Sequence, residues 1–245
     1  MSGVQSIYLL TSRALGQQNA MDATSSNVAN ANTHGYRRQE VDFQELIGGT
    51  PARPAGRFTQ DMGFRSNFEQ GGMDPTGNPL DLALNGEGMF GIEVDGEVQY
   101  TRNGQFNIDV NGALVTGDGM PVLNVGGGEI VLPTDATNIN ITADGTITAD
   151  GELVDQVGVY EFPENAALIR IGENRFINAN NDVEEAQPGT AQVLQGMLET
   201  SNVNSVMETV KMTEILRSYQ STQRIIQNIE ELEQRAIREI PARAQ

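Results

Sequence analysis

The sequence predicts an α+β fold in which two long terminal helices flank an inserted all-β domain. Three observations lead to this prediction. Both ends of the chain are almost free of Gly and Pro and carry apolar residues at helical spacing. The middle consists of short β-prone runs separated by Asp-Gly and Asn-Gly pairs, which are typical of tight turns. The net negative charge is also concentrated in that middle.

The first helix is predicted over residues 4–30, which contain no Pro and a single Gly. Its apolar stripe is thin, because most of its members recur only every seven residues. These apolar residues are Ile7, Leu10, Ala14, Met21 and Val28. Since helices gain most of their stability from packing, a helix with so thin a stripe needs partners.

The second helix is predicted to begin near Ser205, which forms a capping-box pattern with Glu208, and to stop before Pro241. At about 1.5 Å rise per residue it would be on the order of 50 Å long. Its apolar positions fall mostly three or four residues apart and form one seam. The seam consists of Met212, Ile215, Tyr219, Ile226, Ile229, Leu232, Ala236 and Ile240.

The segment 76–185 is predicted to be all-β. Several pairs within it favour the positive φ angles of hairpin turns. These pairs are Asp95-Gly96, Asn103-Gly104, Asn111-Gly112, Asp144-Gly145 and Asp150-Gly151. The runs 91–94, 98–102 and 105–110 have the length and branching of antiparallel strands.

The predicted organisation therefore has three parts. Residues 1–35 and 200–245 form a helical core domain, residues 36–75 and 186–199 form a connector, and residues 76–185 form the β domain. The simplest arrangement is that the two terminal helices pair and then pack against copies of themselves. The alternative is an intramolecular helical hairpin that caps the β domain.

The charge is distributed unevenly along the chain. Residues 1–60 carry five Arg against four acidic residues, and residues 201–245 carry six basic against six acidic residues. Residues 61–200 carry four Arg against 23 acidic residues, a net charge of −19. Nucleic-acid binding requires a basic face, so we expect no nucleic-acid partner. The nearly neutral ends are expected to contact protein.

Membrane insertion and a cleavable export leader are not expected. No run approaches the roughly 18 to 20 apolar residues that a membrane-spanning helix needs, and no basic stretch precedes an apolar run at the start. The chain has no cysteine, which excludes disulfides and thiolate chemistry.

The pattern Gly86-Glu87-Gly88-Met89-Phe90-Gly91 matches a dinucleotide fingerprint, with Asp109 about 20 residues further on. The context does not match, because such a fingerprint must open a helix and residues 92–101 continue as hairpin strands. We interpret this pattern as a turn.

Other candidate catalytic groups are isolated. His34 is the single histidine, which excludes a histidine cluster, and the turn aspartates lack calcium-loop spacing. These aspartates are Asp109, Asp118, Asp144 and Asp150. We expect no catalytic, cofactor or metal site. A soluble β-domain carboxylate hydrolase or ligand binder remains the alternative from a different functional class.

The segment from Ser26 to Arg37 is unusual because it places Asn27, Asn30 and Asn32 within six residues. An ordinary helix end explains one Asn and Gly35, but not three Asn. Asparagine amides both donate and accept hydrogen bonds, and asparagine tolerates the left-handed region.

This segment resembles the signature that follows the first helix of flagellar rod and hook proteins. The matching positions are Asn27, Ala29, Asn30, Thr33, Gly35, Tyr36 and Arg37. Residues 198–204, LETSNVN, are similar to a second motif of that group, and residues 76–90 are similar to a third. Three motifs in the same order span nearly the whole chain.

The resemblance implies a noncatalytic subunit that passes unfolded through the flagellar type III export apparatus and assembles helically with itself and other rod proteins in the periplasm. The terminal helices would form an inner coiled-coil-like tube, and the acidic β domain an outer layer. Within the group, the short chain and the run 139–162, which resembles the acidic β segment of proximal rod subunits, favour a proximal rod subunit. A distal rod subunit is the close alternative, because distal subunits share all three motifs. The expected interface residues are Ile7, Leu10, Ala14, Met21, Asn27, Val28, Asn30, Gly35, Tyr36, Asn202, Val203, Met212, Ile215, Tyr219, Ile226, Ile229 and Leu232.

Overall fold

The computed structural model describes residues 3–47, 57–136, 138–162, 168–172, 174–179, 187–188 and 191–239. These residues group into two compact units. Unit 1 contains both helices together with the segment Arg38–Asn67, and unit 2 contains Asn30–Arg37 and Phe68–Val203. The predicted α+β fold class is confirmed, because two terminal helices flank a series of antiparallel strands.

Unit 1 is built from helices α1 (Gly3–Ala29) and α2 (Ser205–Glu239) and a hairpin of β1 (Gln39–Ile47) and β2 (Arg57–Ser66). Helix α1 contacts α2 and both strands of the hairpin. Ile240, Pro241 and the side chain of Ala236 lie outside the described residues.

The N-terminal cap of α2 differs from the prediction. Asn204, not Ser205, is the capping residue, because its Oδ1 accepts a hydrogen bond from the Met207 backbone N–H at 3.1 Å. Met207 occupies the third helical position, which is where a cap side chain finds its donor. Glu208 is consequently free for another role, and its carboxylate is buried within unit 1.

Unit 2 consists of short strands in antiparallel pairs. They are β3 (Met73–Pro75), β4 (Leu82–Asn85), β5 (Met89–Val94), β6 (Glu97–Thr101), β7 (Phe106–Ile108), β8 (Leu114–Thr116), β9 (Ile139–Ile141), β10 (Thr146–Ala149), β11 (Glu152–Gln156), β12 (Val159–Glu161), β13 (Leu168–Gly172), β14 (Arg175–Asn178), β15 (Gln187–Pro188), β16 (Gln192–Gln195) and β17 (Met197–Glu199). The largest sheet has the order β13-β14-β6-β5-β12-β15, and a second has the order β11-β10-β9. The remaining pairs are β4 with β16, β3 with β17 and β7 with β8.

The core of unit 2 is formed by apolar side chains from many of these strands. Its buried members are Leu82, Leu84, Phe90, Ile92, Phe106, Leu114, Val122, Ile130, Leu132, Ile141, Ile147, Val157, Val159 and Val193. Phe90 and Phe106 meet edge to face at a centroid distance of 5.2 Å. Burial of all these core side chains supplies the main driving force for folding unit 2.

The predicted turns are confirmed at Asp95-Gly96 and Asp150-Gly151, where both residues have positive φ, as a type I′ hairpin requires. Asn103-Gly104 differs, because β6 and β7 do not pair with each other. Gly104 instead allows a close backbone approach, since a Cβ there would lie 1.7 Å from the Leu82 carbonyl oxygen.

Candidate subunit interface

Residues 30–37, the part of the first motif that belongs to unit 2, are held there by the segment that carries the second motif. The Gly35 N–H donates to the Glu199 carbonyl oxygen at 2.8 Å, and the Asn202 N–H donates to the Tyr36 carbonyl oxygen at 3.3 Å. Gly35 has a φ of +68°, and a Cβ on it would lie 2.4 Å from the Arg102 carbonyl carbon. The backbone therefore requires glycine at this position.

A buried cluster of Arg37, Arg102 and Glu199, called the Glu199 cluster below, lies at this contact. Arg37 Nη1 is 2.6 Å from Glu199 Oε1, and Arg102 Nη1 is 3.1 Å from Glu199 Oε2. The Gly71 N–H also donates to Glu199 Oε1 at 2.9 Å. One buried carboxylate thus accepts hydrogen bonds from three parts of unit 2, so its loss would leave several donors unpaired.

The two arginines of the Glu199 cluster also bond to backbone oxygens. Arg37 Nη1 donates to the Glu69 carbonyl oxygen at 2.9 Å, and Arg102 Nη2 donates to that of Gly86 at 2.6 Å. Burial, followed by repulsion from Arg37, lowers the pKa of Arg102 to about 10, although Glu199 opposes this shift. The cost of burying two cations is thus only partly offset.

A stacked arginine supports the same segment from another strand. The guanidinium carbon of Arg170 lies 4.5 Å from the Tyr36 ring centroid and 5.1 Å from that of Phe176. Arg170 Nη2 also donates to the Arg37 carbonyl oxygen, and Asn174 Nδ2 donates to that of His34 at 3.1 Å. Burial lowers the pKa of Arg170. These contacts fix the position of Tyr36, which is buried.

In unit 1, the Asn27 side chain joins three elements. Its Oδ1 accepts from the Gln39 N–H at 2.7 Å, and its Nδ2 donates to the Gln39 carbonyl oxygen at 2.8 Å. Nδ2 also lies 3.4 Å from Glu208 Oε2. Arg38 Nη1 approaches the other Glu208 oxygen at 3.7 Å. The end of α1, the start of β1 and the first turn of α2 are thereby joined through one buried amide.

Helices α1 and α2 pack against each other within unit 1. Gln17 Nε2 donates to Ser218 Oγ at 2.6 Å between the two helices. Most predicted interface residues on the helices are half-buried in the single chain. These are Ile7, Leu10, Met21, Val28, Met212, Ile215, Tyr219, Ile226 and Ile229, while Ala14 is buried and Leu232 is exposed.

The motif residues divide differently. Asn27, Gly35 and Tyr36 are buried within the chain, so the contacts described above are intramolecular. Asn30, Asn202 and Val203 are half-buried. Glu199 and Arg102 were not among the residues predicted from the sequence. The available signal was that Arg37 and Glu199 carry opposite charges within two separate motifs.

Large apolar side chains remain exposed on both helices in the single chain. On α2, Val206 is 71% exposed, Met207 64% and Leu232 62%. The other exposed residues are Val210, Leu216 and Ile225 on α2 and Leu9 and Leu15 on α1. Several of these side chains lie on one helix, where a partner protein could cover them.

The candidate chemical groups occupy turns. The glycine pattern at residues 86–91 begins in the turn between β4 and β5 and continues into β5, and Gly86 and Gly88 of the turn have positive φ. Asp109 Oδ1 accepts from the Ala113 N–H at 2.7 Å, and hydroxyl hydrogen bonds from Thr142 and then Thr146 lower the pKa of Asp144. Within the described ranges, no group of three or more His, Asp or Glu side chains could hold a metal ion. In the described part of the chain, neither α1 nor α2 contains an apolar stretch long enough to cross a membrane.

Three family profiles match the chain. "Flagella basal body rod protein" covers residues 7–37, "Flagellar hook protein FlgE/F/G D1 domain" covers residues 83–149, and "Flagellar basal body rod FlgEFG protein C-terminal" covers residues 194–239. The first and third contain two of the motifs described above.

Curated relatives match over almost the full length. The chain is 34% identical over 240 residues to the flagellar basal-body rod protein FlgF of Caulobacter vibrioides, which covers 94% of this chain and 96% of the relative. It is 32% identical over 259 residues to FlgG of Bacillus subtilis, covering 96% and 98%. It is 30% identical over 217 residues to FlgF of Mesorhizobium japonicum, covering 89% and 90%. The chain therefore belongs to the FlgF/FlgG family of flagellar basal-body rod proteins and is a structural subunit of the rod.

Proposed function

We propose that this chain polymerises through α1 and α2 into the coiled-coil-like inner tube of the proximal rod. The observation that carries the proposal is the exposed apolar surface of these helices, described above. A second copy can cover this surface, and burying it contributes about 25 cal/mol per Å². In this arrangement the partly buried residues of the helix stripe and seam complete their burial between subunits.

The β domain, residues 76–185, would form an outer layer, and residues 36–75 and 186–199 an intermediate connector. Charge supports this proposal. The segments of unit 2 contain four Arg against 22 acidic residues, whereas those of unit 1 are balanced at 11 each. Since Arg37 and Arg102 are buried, the surface of unit 2 is dominated by acidic groups. Such surfaces repel one another at short range and favour solvent.

The partners would be other copies of this chain, neighbouring rod proteins and the flagellar type III export apparatus, through which the chain would pass unfolded to the periplasm. We propose no enzymatic, nucleic-acid-binding or membrane-inserting role. A distal rod position is the close alternative, because the identities to the FlgF of Caulobacter vibrioides and the FlgG of Bacillus subtilis differ little, at 34% and 32%.

Deletion of residues 205–245 tests the proposal. We expect the truncated chain to lose rod assembly and motility, because the seam is removed. Normal assembly by this variant would contradict the proposal. The position of the subunit along the rod is tested separately, by locating an epitope-tagged copy of the chain in isolated basal bodies with an antibody. Labelling at the membrane-proximal end is expected, and labelling at the hook-proximal end would assign the chain to the distal rod.

A further inference from the structure

Unit 2 is closed by its own last strands. β4 pairs with β16 and β3 pairs with β17, so the first strands of the unit find these partners near its C-terminal end. Val193 of β16 belongs to the hydrophobic core, and Leu198 of β17 is also buried. The unit therefore cannot complete its core before this part of the chain is available.

The buried ion pairs of Glu199 also make closure of unit 2 depend on its C-terminal strands. Among the described residues, the ion pairs of Arg37 and Arg102 are both with Glu199. Without that carboxylate, the closed unit would bury two guanidinium groups that repel each other, and the weaker attraction of Glu87 for Arg102 would remain. A buried charge that has lost its partner destabilises a fold far more than an intact pair stabilises it.

The sequence positions of these three residues determine when their ion pairs can form. Glu199 follows Arg37 by 162 residues and Arg102 by 97. When a chain emerges from the ribosome with its N-terminus first, both arginines are exposed long before Glu199, the carboxylate that they share. Until Glu199 arrives, hydrated arginines favour an open unit 2.

We propose that Glu199 is a closing latch: unpaired Arg37 and Arg102 keep unit 2 open until the C-terminal strands have emerged, and pairing with Glu199 then closes it. During synthesis at the ribosome, this order of emergence delays closure of unit 2 until almost the whole chain has been made. Use of the latch after export rests on the proposed function, because only that proposal supplies passage of an unfolded chain.

Native-state hydrogen exchange on the full-length monomer tests the latch. Glu199→Gln keeps the side-chain shape but removes the charge, and Glu152→Gln, on an exposed residue, is the matched control. The Leu114 N–H donates a hydrogen bond to the Ile130 carbonyl oxygen, and both residues belong to the core. The latch predicts that protection of this N–H against hydrogen exchange falls roughly 10²- to 10³-fold in Glu199→Gln. If only Gly35 and Thr200 lose protection while Leu114 keeps it, Glu199 is a local anchor and the latch is refuted.

A second variant covers the case in which Glu199→Gln does not fold. Replacing Arg37, Arg102 and Glu199 together by Met removes all three charges and keeps side chains of comparable length. The latch predicts that this triple variant is more stable than Glu199→Gln, because the repulsion between two buried guanidinium groups is gone, even though the Gly71 N–H and the Glu69 and Gly86 carbonyl oxygens lose their side-chain partners. If the triple variant is as unfolded as Glu199→Gln, charge is not the cause and the latch is refuted.

The chain length at which unit 2 folds is measured during synthesis. A force-sensitive translational arrest sequence is fused after a series of different residues, and release of the arrest reports folding. Folding force is expected to begin only when residues 192–199 have cleared the ribosome. Onset when the chain has cleared only to Val159 would contradict the latch. None of these measurements involves a rod, so failure of assembly and failure of the latch are separate outcomes.

Discussion

Asn27 provides a specific test of how unit 1 is held together. Its amide makes two short hydrogen bonds, one to each backbone polar group of Gln39, and a longer one to Glu208. Asn27→Ala removes all three. Asn27→Asp keeps the shape and the acceptor for the Gln39 N–H, but it places a carboxylate oxygen against the Gln39 carbonyl and the buried Glu208 carboxylate.

The structure sets the magnitudes. Each buried polar group that loses its partner costs about 1 to 3 kcal/mol, and Gln39 is half-buried, so water recovers part of this cost. We expect Asn27→Ala to lower the free energy of unfolding of unit 1 by about 2 to 4 kcal/mol. Asn27→Asp should cost more, because two like charges would share a buried site.

Urea unfolding followed by far-ultraviolet circular dichroism measures this effect, because in the described part of the chain both helices belong to unit 1. Asn228→Ala, on an exposed α2 position, is the matched control and should leave the transition unchanged. If Asn27→Asp is as stable as Asn27→Ala or more so, the amide does not join the three elements as the structure indicates, and the reasoning is refuted.

Three further predictions concern the seam, the backbone and the charge. Ile226→Asp should block polymerisation, measured by sedimentation, while unit 2 stays folded, because it introduces a carboxylate into the seam; assembly at the wild-type level would remove the seam from the interface. Gly35→Ala should destabilise unit 2 by roughly 2 to 4 kcal/mol in urea, because the added Cβ would lie 2.4 Å from the Arg102 carbonyl carbon at positive φ; Gly117→Ala, in open space, should be silent, and equal midpoints would contradict this account. Raising the ionic strength from about 0.01 to 0.15 M shortens the Debye length from roughly 30 to 8 Å, so assembly measured by light scattering should be maintained or improved; steep disassembly would show that attractive ion pairs hold the rod together.

The sequence predicted the elements of the fold well where a local pattern determines them. Both helices follow from apolar spacing and the absence of Gly and Pro, and Asp95-Gly96 forms the hairpin turn expected of that dipeptide. Asn103-Gly104 did not form one, because the close approach of Leu82 determines its conformation. The cap also lies one residue earlier than predicted, at Asn204, and the predicted capping-box residue Glu208 contacts Asn27 instead. Both differences involve contacts that a local sequence pattern does not show.

The candidate site was predictable only as motifs. The sequence motif includes Asn27, Gly35 and Tyr36, but it could not show that each is buried by partners elsewhere in the same chain. The Glu199 cluster joins positions separated by as many as 162 residues, and no local periodicity encodes such a contact. Pairing of opposite charges within two motifs is a signal that becomes interpretable only once the fold is known.

Because the chain has no cysteine, a single introduced thiol tests the central claim, that the terminal helices form the contact between rod subunits. Leu232→Cys lies on α2 at a position 62% exposed in the single chain, and Leu153→Cys lies on β11 at a position 74% exposed. In free subunits both thiols should react readily with a maleimide. In isolated rods, we expect Leu232→Cys to be protected and Leu153→Cys to stay reactive. Equal reactivity of Leu232→Cys in free subunits and in rods, with protection of Leu153→Cys, would contradict the claim.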